Sequence, residues 1–172
     1  NWMSEPEVLK LYAKHYETGE IIPDELVQKM NEANAFNEGF RTVEYMAASY
    51  LDMAWHTLTS AEGIEARKFE QDAMDKIGLI SEIIPRYRSG YFNHIFAGGY
   101  SAGYYSYLWS ELLDADCFQA FKETGDLFDQ ATAQKYRTML SKGGSVPGME
   151  LYVEFRGKTP EIDPLLEKKG FK

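Results

Sequence analysis

Four side chains able to hydrogen-bond a substrate are concentrated in one short stretch: His94, Tyr100, Tyr104 and Tyr107. On an α-helix over residues 100–116, the three tyrosines and Glu111 would be spaced 4, 3 and 4 residues apart and would share one face. A phenol hydroxyl can donate to a carbonyl oxygen or to a developing oxyanion. The sequence therefore predicts a row of donors that holds a polar ligand.

A glycine pair, Gly98 and Gly99, stands immediately before this row. Glycine accepts left-handed backbone angles and lets another chain approach closely, which suits a ligand-binding loop. The opposite face of the same helix would be apolar and turned to the core, and it carries Tyr105, Leu108, Trp109 and Leu112. Aromatic residues at helical spacing are more often core than binding surface, so a purely structural role for the tyrosines stays open.

A serine nucleophile is a weaker alternative. Residues 99–103 match the G-x-S-x-G pattern, with Ser101 at the serine position. That motif requires a preceding strand and a histidine that follows the serine, whereas His15, His56 and His94 all precede Ser101. Serine hydrolysis is therefore the least favoured of the functions considered for this chain.

No His-Glu-x-x-His pattern occurs in the chain, and its three histidines are far apart in sequence. The sequence patterns therefore identify no metal ligands. A site in which folding brings the distant histidines together remains an alternative. Arg156, within Phe155-Arg156-Gly157, has a guanidinium fork that could bind a substrate carboxylate. A structural salt bridge is an equal alternative for it.

Composition places the chain among globular proteins, because 44% of its 172 residues are hydrophobic and 26% are charged. A net charge of -9 with scattered lysine and arginine excludes the basic footprint of a nucleic-acid binder. No apolar run is long enough to span a membrane, and no signal peptide is recognisable. The single cysteine, Cys117, is expected to be buried and inert. A cytoplasmic location fits these features, and a periplasmic one would require an upstream leader.

Apolar residues recur every three or four positions along most of the chain, and no strand pattern is convincing. The longest predicted helix covers residues 37–58, and others cover residues 64–77, 130–140 and 148–155. The sequence thus predicts one all-α unit over residues 1–172.

Residues 94–111, His-Ile-Phe-Ala-Gly-Gly-Tyr-Ser-Ala-Gly-Tyr-Tyr-Ser-Tyr-Leu-Trp-Ser-Glu, resemble the signature of the thimet oligopeptidase and peptidyl-dipeptidase family of zinc metallopeptidases. The segments 15–19 and 51–56 resemble its bacterial peptidyl-dipeptidase branch, as do 113–116, 143–145 and 155–157. The resemblance extends over nearly the whole chain, with several motifs in the family's order.

The resemblance implies the C-terminal part of a larger, mostly helical catalytic domain whose zinc ligands lie upstream of Asn1. The resemblance also implies that the Tyr107 hydroxyl would donate a hydrogen bond to the scissile carbonyl oxygen, with the aid of His94. His94 and Tyr104 would bind the backbone of a short peptide, Tyr100 would line the cleft, and the loop of Gly98 and Gly99 would close on the peptide. The N-terminal remainder of the enzyme would be this chain's partner. Arg156 is expected to bind substrate because of its guanidinium fork.

The expected function is therefore part of a zinc peptidase that releases C-terminal dipeptides, with the 172-residue chain inactive by itself. The alternative from a different class is a non-catalytic α-helical module in which the tyrosines bind a peptide or another partner. Loss of upstream helices could expose an apolar face and cause self-association.

Overall fold

The structure is a computed structural model that describes residues 1–172, and it consists of helices and connecting turns. Its nine α-helices are α1 Pro6–Tyr12, α2 Asp24–Ala35, α3 Glu38–His56, α4 Ala66–Lys76, α5 Asn93–Phe96, α6 Ser106–Thr124, α7 Gln130–Ser141, α8 Gly148–Arg156 and α9 Asp163–Lys168. Three 3₁₀ turns cover Trp2–Ser4, Ser89–Tyr91 and Gly143–Ser145. The only extended pairing is an isolated bridge between Lys14 and Ile21. The prediction of an all-α fold is confirmed.

Two compact units divide the chain. The central unit comprises Asn37–Trp109, and the terminal unit combines Asn1–Phe36 with Ser110–Lys172. Each unit has its own apolar core, and the residues predicted for chemistry at 94–107 all belong to the central unit. The prediction that residues 1–172 form one domain stays a prediction.

The central unit is built on α3, the longest of its helices. Asn37 adopts a left-handed conformation with φ 58° and starts α3, whose buried side carries Ala47, Ala48 and Leu51. These residues pack with Met74, Phe92, Ile95 and Tyr104 in one core. Helix α3 thereby provides a rigid base beneath residues 92–104.

Helix α4 is fixed to the following loop by a buried acid, Glu70. Its carboxylate accepts hydrogen bonds from the Ser89 amide at 2.7 Å and the Ser89 hydroxyl at 2.9 Å, and it pairs with the Arg88 guanidinium. The Trp55 indole donates to the same hydroxyl at 2.9 Å. Because both carboxylate oxygens of Glu70 accept hydrogen bonds, this acid can be buried between α3, α4 and the loop.

The terminal unit has a core of buried side chains from α1, α6, α8 and the loop before α7. Its buried members are Val8, Cys117, Phe118, Phe121, Leu127, Tyr152 and Phe155. The Trp2 ring contacts Phe118 and Phe121 edge-to-face at 4.5 and 4.8 Å. Cys117 is buried as predicted, and burial raises the pKa of its thiol to about 11.

The predicted tyrosine helix begins later than expected. Residues 101–105 form turns, and α6 starts only at Ser106. Gly99 at φ 82° and Ala102 at φ 52° have left-handed backbone, which a right-handed helix cannot contain. The predicted inward face was also wrong, because Tyr105 is 54% and Trp109 46% exposed.

None of the helices is long and apolar enough to cross a membrane.

Arg156 lies at the end of α8 within the terminal unit, with only 5% of its side chain exposed. Its two terminal nitrogens donate to Glu123 at 2.6 and 2.7 Å, and one also donates to the buried Asp116 at 3.1 Å. Asp116 also accepts the Tyr152 hydroxyl, and the hydrogen bond from Arg156 lowers the pKa of Glu123. The structural salt bridge considered from the sequence is therefore present.

Replacing Arg156 by Met should lower the free energy of unfolding by about 3–5 kcal/mol, because it leaves the buried Asp116 carboxylate without its cation. Methionine retains most of the aliphatic packing. Urea unfolding of the two proteins measures the difference. The control is Lys142→Met, which breaks a surface pair with Glu154 and should cost about 0–1 kcal/mol. Equal losses in both variants would contradict a stabilising role for Arg156.

Candidate active site

An aromatic cluster in the central unit contains the histidine and all three tyrosines predicted for chemistry. We use that name for six residues: Tyr87, Phe92, His94, Tyr100, Tyr104 and Tyr107. The ring centroids of Tyr100 and Tyr107 are 5.3 Å apart and stacked, and those of Tyr104 and Tyr107 are 5.4 Å apart and edge-to-face. His94 lies 5.6 Å from Tyr104 and 6.0 Å from Tyr100. The three phenols therefore converge, although they do not share a helix.

The three phenols differ in accessibility. Tyr104 is only 2% exposed and forms part of the core, whereas Tyr100 and Tyr107 are 37% and 42% exposed. Burial raises the pKa of Tyr104 to about 12, and a hydrogen bond with Tyr100 is the largest cause of a raised pKa at Tyr107. A phenol is a hydrogen-bond donor at neutral pH in any case, and these shifts extend the protonated form of Tyr104 and Tyr107 to higher pH.

The glycine pair has the backbone role expected of it. A Cβ on Gly98 would lie 2.9 Å from the His94 Cα and 3.0 Å from the His94 carbonyl oxygen, so no other residue fits without displacing the chain. Gly99 has φ 82°, and the Tyr100 amide donates to the His94 carbonyl at 2.9 Å. This tight turn returns the chain over α5 and brings Tyr100 next to His94.

Asp52 supports the cluster through hydrogen bonds to the backbone that carries it. The sequence analysis assigned this residue no role. It is completely buried on α3, and its carboxylate accepts the Ala102 amide at 2.9 Å and the Tyr104 amide at 2.8 Å. Nδ1 of His56, one turn later on α3, is 2.8 Å from the same carboxylate. Two residues of the turn, Ala102 and Tyr104, are thus bound directly to the longest helix of the unit.

Tyr45, about two turns before Asp52 on α3, makes a second connection. Its hydroxyl donates to the Tyr104 carbonyl at 2.6 Å and accepts from the Leu108 amide at 3.2 Å. Its ring stacks on Tyr104 with centroids 5.2 Å apart. The hydroxyl therefore joins the end of the turn to the first residues of α6.

A sequence signal for Asp52 did exist. It is an acidic residue inside the apolar stripe of α3, next to Leu51 and four residues before a histidine. A charged side chain at such a position must be paired, so a buried partner could have been predicted. The identity of that partner depended on the backbone of residues 102–104, which no local pattern specified.

The serine hypothesis loses its structural basis. Ser101 donates its hydroxyl proton to the Ile95 carbonyl at 2.5 Å, and the residues before it form α5 and a turn instead of a strand. Its side chain therefore secures the turn, in contrast to a nucleophile presented on a strand-to-helix elbow.

Residues 1–172 bring together no group of three or more histidine, cysteine, aspartate or glutamate side chains that could hold a metal ion. The histidine site considered from the sequence is therefore not formed, and the chain's own residues do not fit a zinc centre. Arg156 belongs to the terminal unit, with its fork engaged by Glu123 and Asp116. A role for Arg156 in substrate binding stays a prediction.

Burial of Tyr104 should make the free energy of unfolding depend on pH in the alkaline range. Its usual pKa of 10.0 is raised to about 12 in the folded protein, so the unfolded phenol ionises first. The stabilising contribution of the Tyr104 phenol to the free energy of unfolding is complete below pH 10.0 and is lost as the pH rises to about 12. Tyr104→Phe should therefore show a less steep decline of the unfolding free energy over this window. Urea unfolding at several pH values measures it, and an unchanged slope, equal to that of a Tyr105→Phe control, would contradict the burial effect.

The comparisons with known proteins cover the entire chain. Residues 1–171 match the model for peptidase family M3. The chain is 42% identical to the dipeptidyl carboxypeptidase of Escherichia coli K12 over 176 residues, which is 99% of this chain and 25% of that protein. It is 37% identical over 178 residues to the oligopeptidase A of the same organism, covering 100% of this chain and 25% of the relative.

The organellar oligopeptidase A of Arabidopsis thaliana is 38% identical over 180 residues, covering 99% of this chain and 22% of that protein. The chain thus spans about a quarter of the length of these relatives. Since the family model matches residues 1–171, the chain belongs to peptidase family M3.

Proposed function

We propose that this chain supplies the substrate-binding and oxyanion-stabilising part of a metallopeptidase that hydrolyses short peptides. The observation that carries the proposal is the convergence of the Tyr100, Tyr104 and Tyr107 phenols beside His94. Membership of peptidase family M3 and the names of the relatives, dipeptidyl carboxypeptidase and oligopeptidase A, support peptide hydrolysis. Release of C-terminal dipeptides is the reaction we favour, because the dipeptidyl carboxypeptidase of Escherichia coli shares 42% identity with this chain.

The chemistry of the cluster matches the demands of peptide hydrolysis. Attack on a peptide carbonyl places negative charge on its oxygen, and preorganised donors lower the energy of that charge. Tyr107 is the donor we assign to the oxyanion, because its ring is partly exposed and contacts both other phenols of the cluster. Tyr100, stacked beside it, and His94 are placed to bind the peptide next to the reacting carbonyl.

The remainder of the active site belongs to the longer polypeptide in this proposal. The relatives are about four times as long as this chain, and residues 1–172 form no metal centre. We propose that this chain is the C-terminal portion and that zinc ligands and the general base come from preceding sequence. A His-Glu-x-x-His motif in the gene immediately upstream of Asn1 would support this arrangement, and its absence would favour a non-catalytic binding module.

Tyr107→Phe in the full-length polypeptide should reduce kcat by about 10²–10³ while KM changes little, because the lost hydroxyl acts on the transition state. Steady-state kinetics on a quenched fluorescent peptide measures both constants. The matched control is Tyr105→Phe, since Tyr105 is two residues away, 54% exposed and outside the aromatic cluster. An unchanged kcat in Tyr107→Phe would exclude Tyr107 as the oxyanion donor.

The 172-residue chain by itself should hydrolyse no peptide and should contain almost no zinc after purification, because it forms no metal centre. Elemental analysis for zinc and the same peptide assay test both expectations. One tightly bound zinc per chain, or turnover that persists through purification to homogeneity, would show that this chain completes an active site without upstream sequence.

A further inference from the structure

We propose that Asp52 and Tyr45 form a two-point clamp on the backbone of residues 102–104, and that this clamp positions the phenols of the aromatic cluster for turnover. The inference rests on the proposed peptidase function for its kinetic consequence. Its structural part, the dependence of the turn on these two side chains, stands on hydrogen-bond geometry alone. Both side chains are positioning residues, because they act through the backbone that carries the tyrosines.

The first point of the clamp is the Asp52 carboxylate, which is completely buried. One oxygen accepts the Ala102 amide at 2.9 Å and the other accepts the Tyr104 amide at 2.8 Å. Nδ1 of His56 lies 2.8 Å from the first oxygen and 2.9 Å from the Asp52 carbonyl oxygen. A buried carboxylate is costly unless it is hydrogen-bonded, so this acid is stable only when the turn is in place.

The backbone that Asp52 holds is strained. Ala102 has φ 52°, a left-handed conformation that is unfavourable for a residue with a Cβ. Such a conformation persists when the surrounding contacts over-determine it, and the Ala102 amide donates directly to Asp52. Strain together with a buried charged acceptor is typical of a segment whose geometry matters for function.

The second point is the Tyr45 hydroxyl, which acts on the other side of Tyr104. It donates to the Tyr104 carbonyl at 2.6 Å and accepts the Leu108 amide at 3.2 Å. The Tyr104 backbone therefore has its N–H bound to Asp52 and its C=O bound to Tyr45, both on α3. Together these bonds fix the direction in which α6, and hence Tyr107, leaves the turn.

The consequence for catalysis concerns geometry more than affinity. Tyr100 precedes the clamp and Tyr107 follows it, and their rings meet at 5.3 Å only when residues 102–104 make this turn. A shift of about 1 Å in a positioned group can cost about 10²-fold in rate. Release of the clamp should therefore lower kcat by about 10²-fold and change KM by less than about threefold.

The test compares Asp52→Asn with Glu70→Gln in the full-length polypeptide. An asparagine at position 52 has one acceptor oxygen and an NH₂ group, so it cannot accept both backbone amides. Glu70 is a second buried acid of the same unit, but its partners are Arg88 and Ser89 instead of the turn. Amide hydrogen exchange and peptide kinetics are measured on both variants and on the unmodified protein.

Asp52→Asn should accelerate exchange at the Ala102 and Tyr104 amides by at least about tenfold and should lower kcat, while Glu70→Gln should do neither. Unchanged exchange at these two amides overturns the clamp, even if the unmodified protein cleaves peptide. An equal loss of kcat in Glu70→Gln, or a raised KM with unchanged kcat in Asp52→Asn, also overturns it. Faster exchange in a protein that cleaves no peptide supports the clamp and overturns the proposed function.

Tyr45→Phe provides a second variant if Asp52→Asn prevents folding. It removes one hydroxyl and retains the ring that stacks on Tyr104. Exchange should accelerate at the Leu108 amide, which loses the Tyr45 hydroxyl and keeps only the Tyr105 carbonyl at 3.1 Å as an acceptor. The kcat should fall in the same direction as in Asp52→Asn. Unchanged exchange and unchanged kcat in this variant overturn the clamp without reference to Asp52.

Discussion

A buried carboxylate on α3 is the constraint on which the central unit depends. Asp52 has no exposed surface, yet it carries a charge that an apolar interior strongly disfavours. Hydrogen bonds to charged groups contribute about 1.5–3 kcal/mol each, and this acid accepts two from backbone amides in addition to its contact with His56. The acid and the turn therefore stabilise each other, and neither arrangement is favourable alone.

This mutual dependence explains how a glycine-containing turn can hold three tyrosines in a defined arrangement. Gly98 allows the chain to pass within contact of the His94 backbone, and Gly99 reverses its direction. Flexible residues by themselves would leave the turn mobile, since glycine loses much conformational freedom on folding. The acceptors provided by α3 remove that freedom, so the phenols lie on a rigid support.

The aromatic cluster combines one buried phenol with two partly exposed ones. Tyr104 packs among Phe92, Ile95 and Leu51, and its ring fixes the positions of its neighbours. Tyr100 and Tyr107 lie beside that core and are 37% and 42% exposed. The proposed oxyanion site requires this combination, because a buried ring orients its neighbours and partly exposed tyrosines can donate to a ligand.

Several features were determined by the sequence itself. The 3.6-residue periodicity of α3 and the absence of alternating patterns specified an all-α fold, because helical faces are local properties of the chain. The clustering of His94 and three tyrosines next to a glycine pair was enough to locate the candidate site. Burial of Cys117 followed equally from its apolar neighbours.

Other features were decided only by the tertiary structure. A helix over residues 100–116 placed the three phenols together in the prediction, whereas a turn at 97–105 brings them together in the protein. The spacing of the tyrosines favoured a helix there, but the long-range bonds from Asp52 and Tyr45 stabilise a left-handed Ala102 that no helix contains. Likewise, Arg156 could equally have bound a ligand or an acid until folding placed Asp116 and Glu123 beside it. Hydrogen bonds between residues about 30 to 60 positions apart depend on the packed chain, and local sequence patterns carry no information about them.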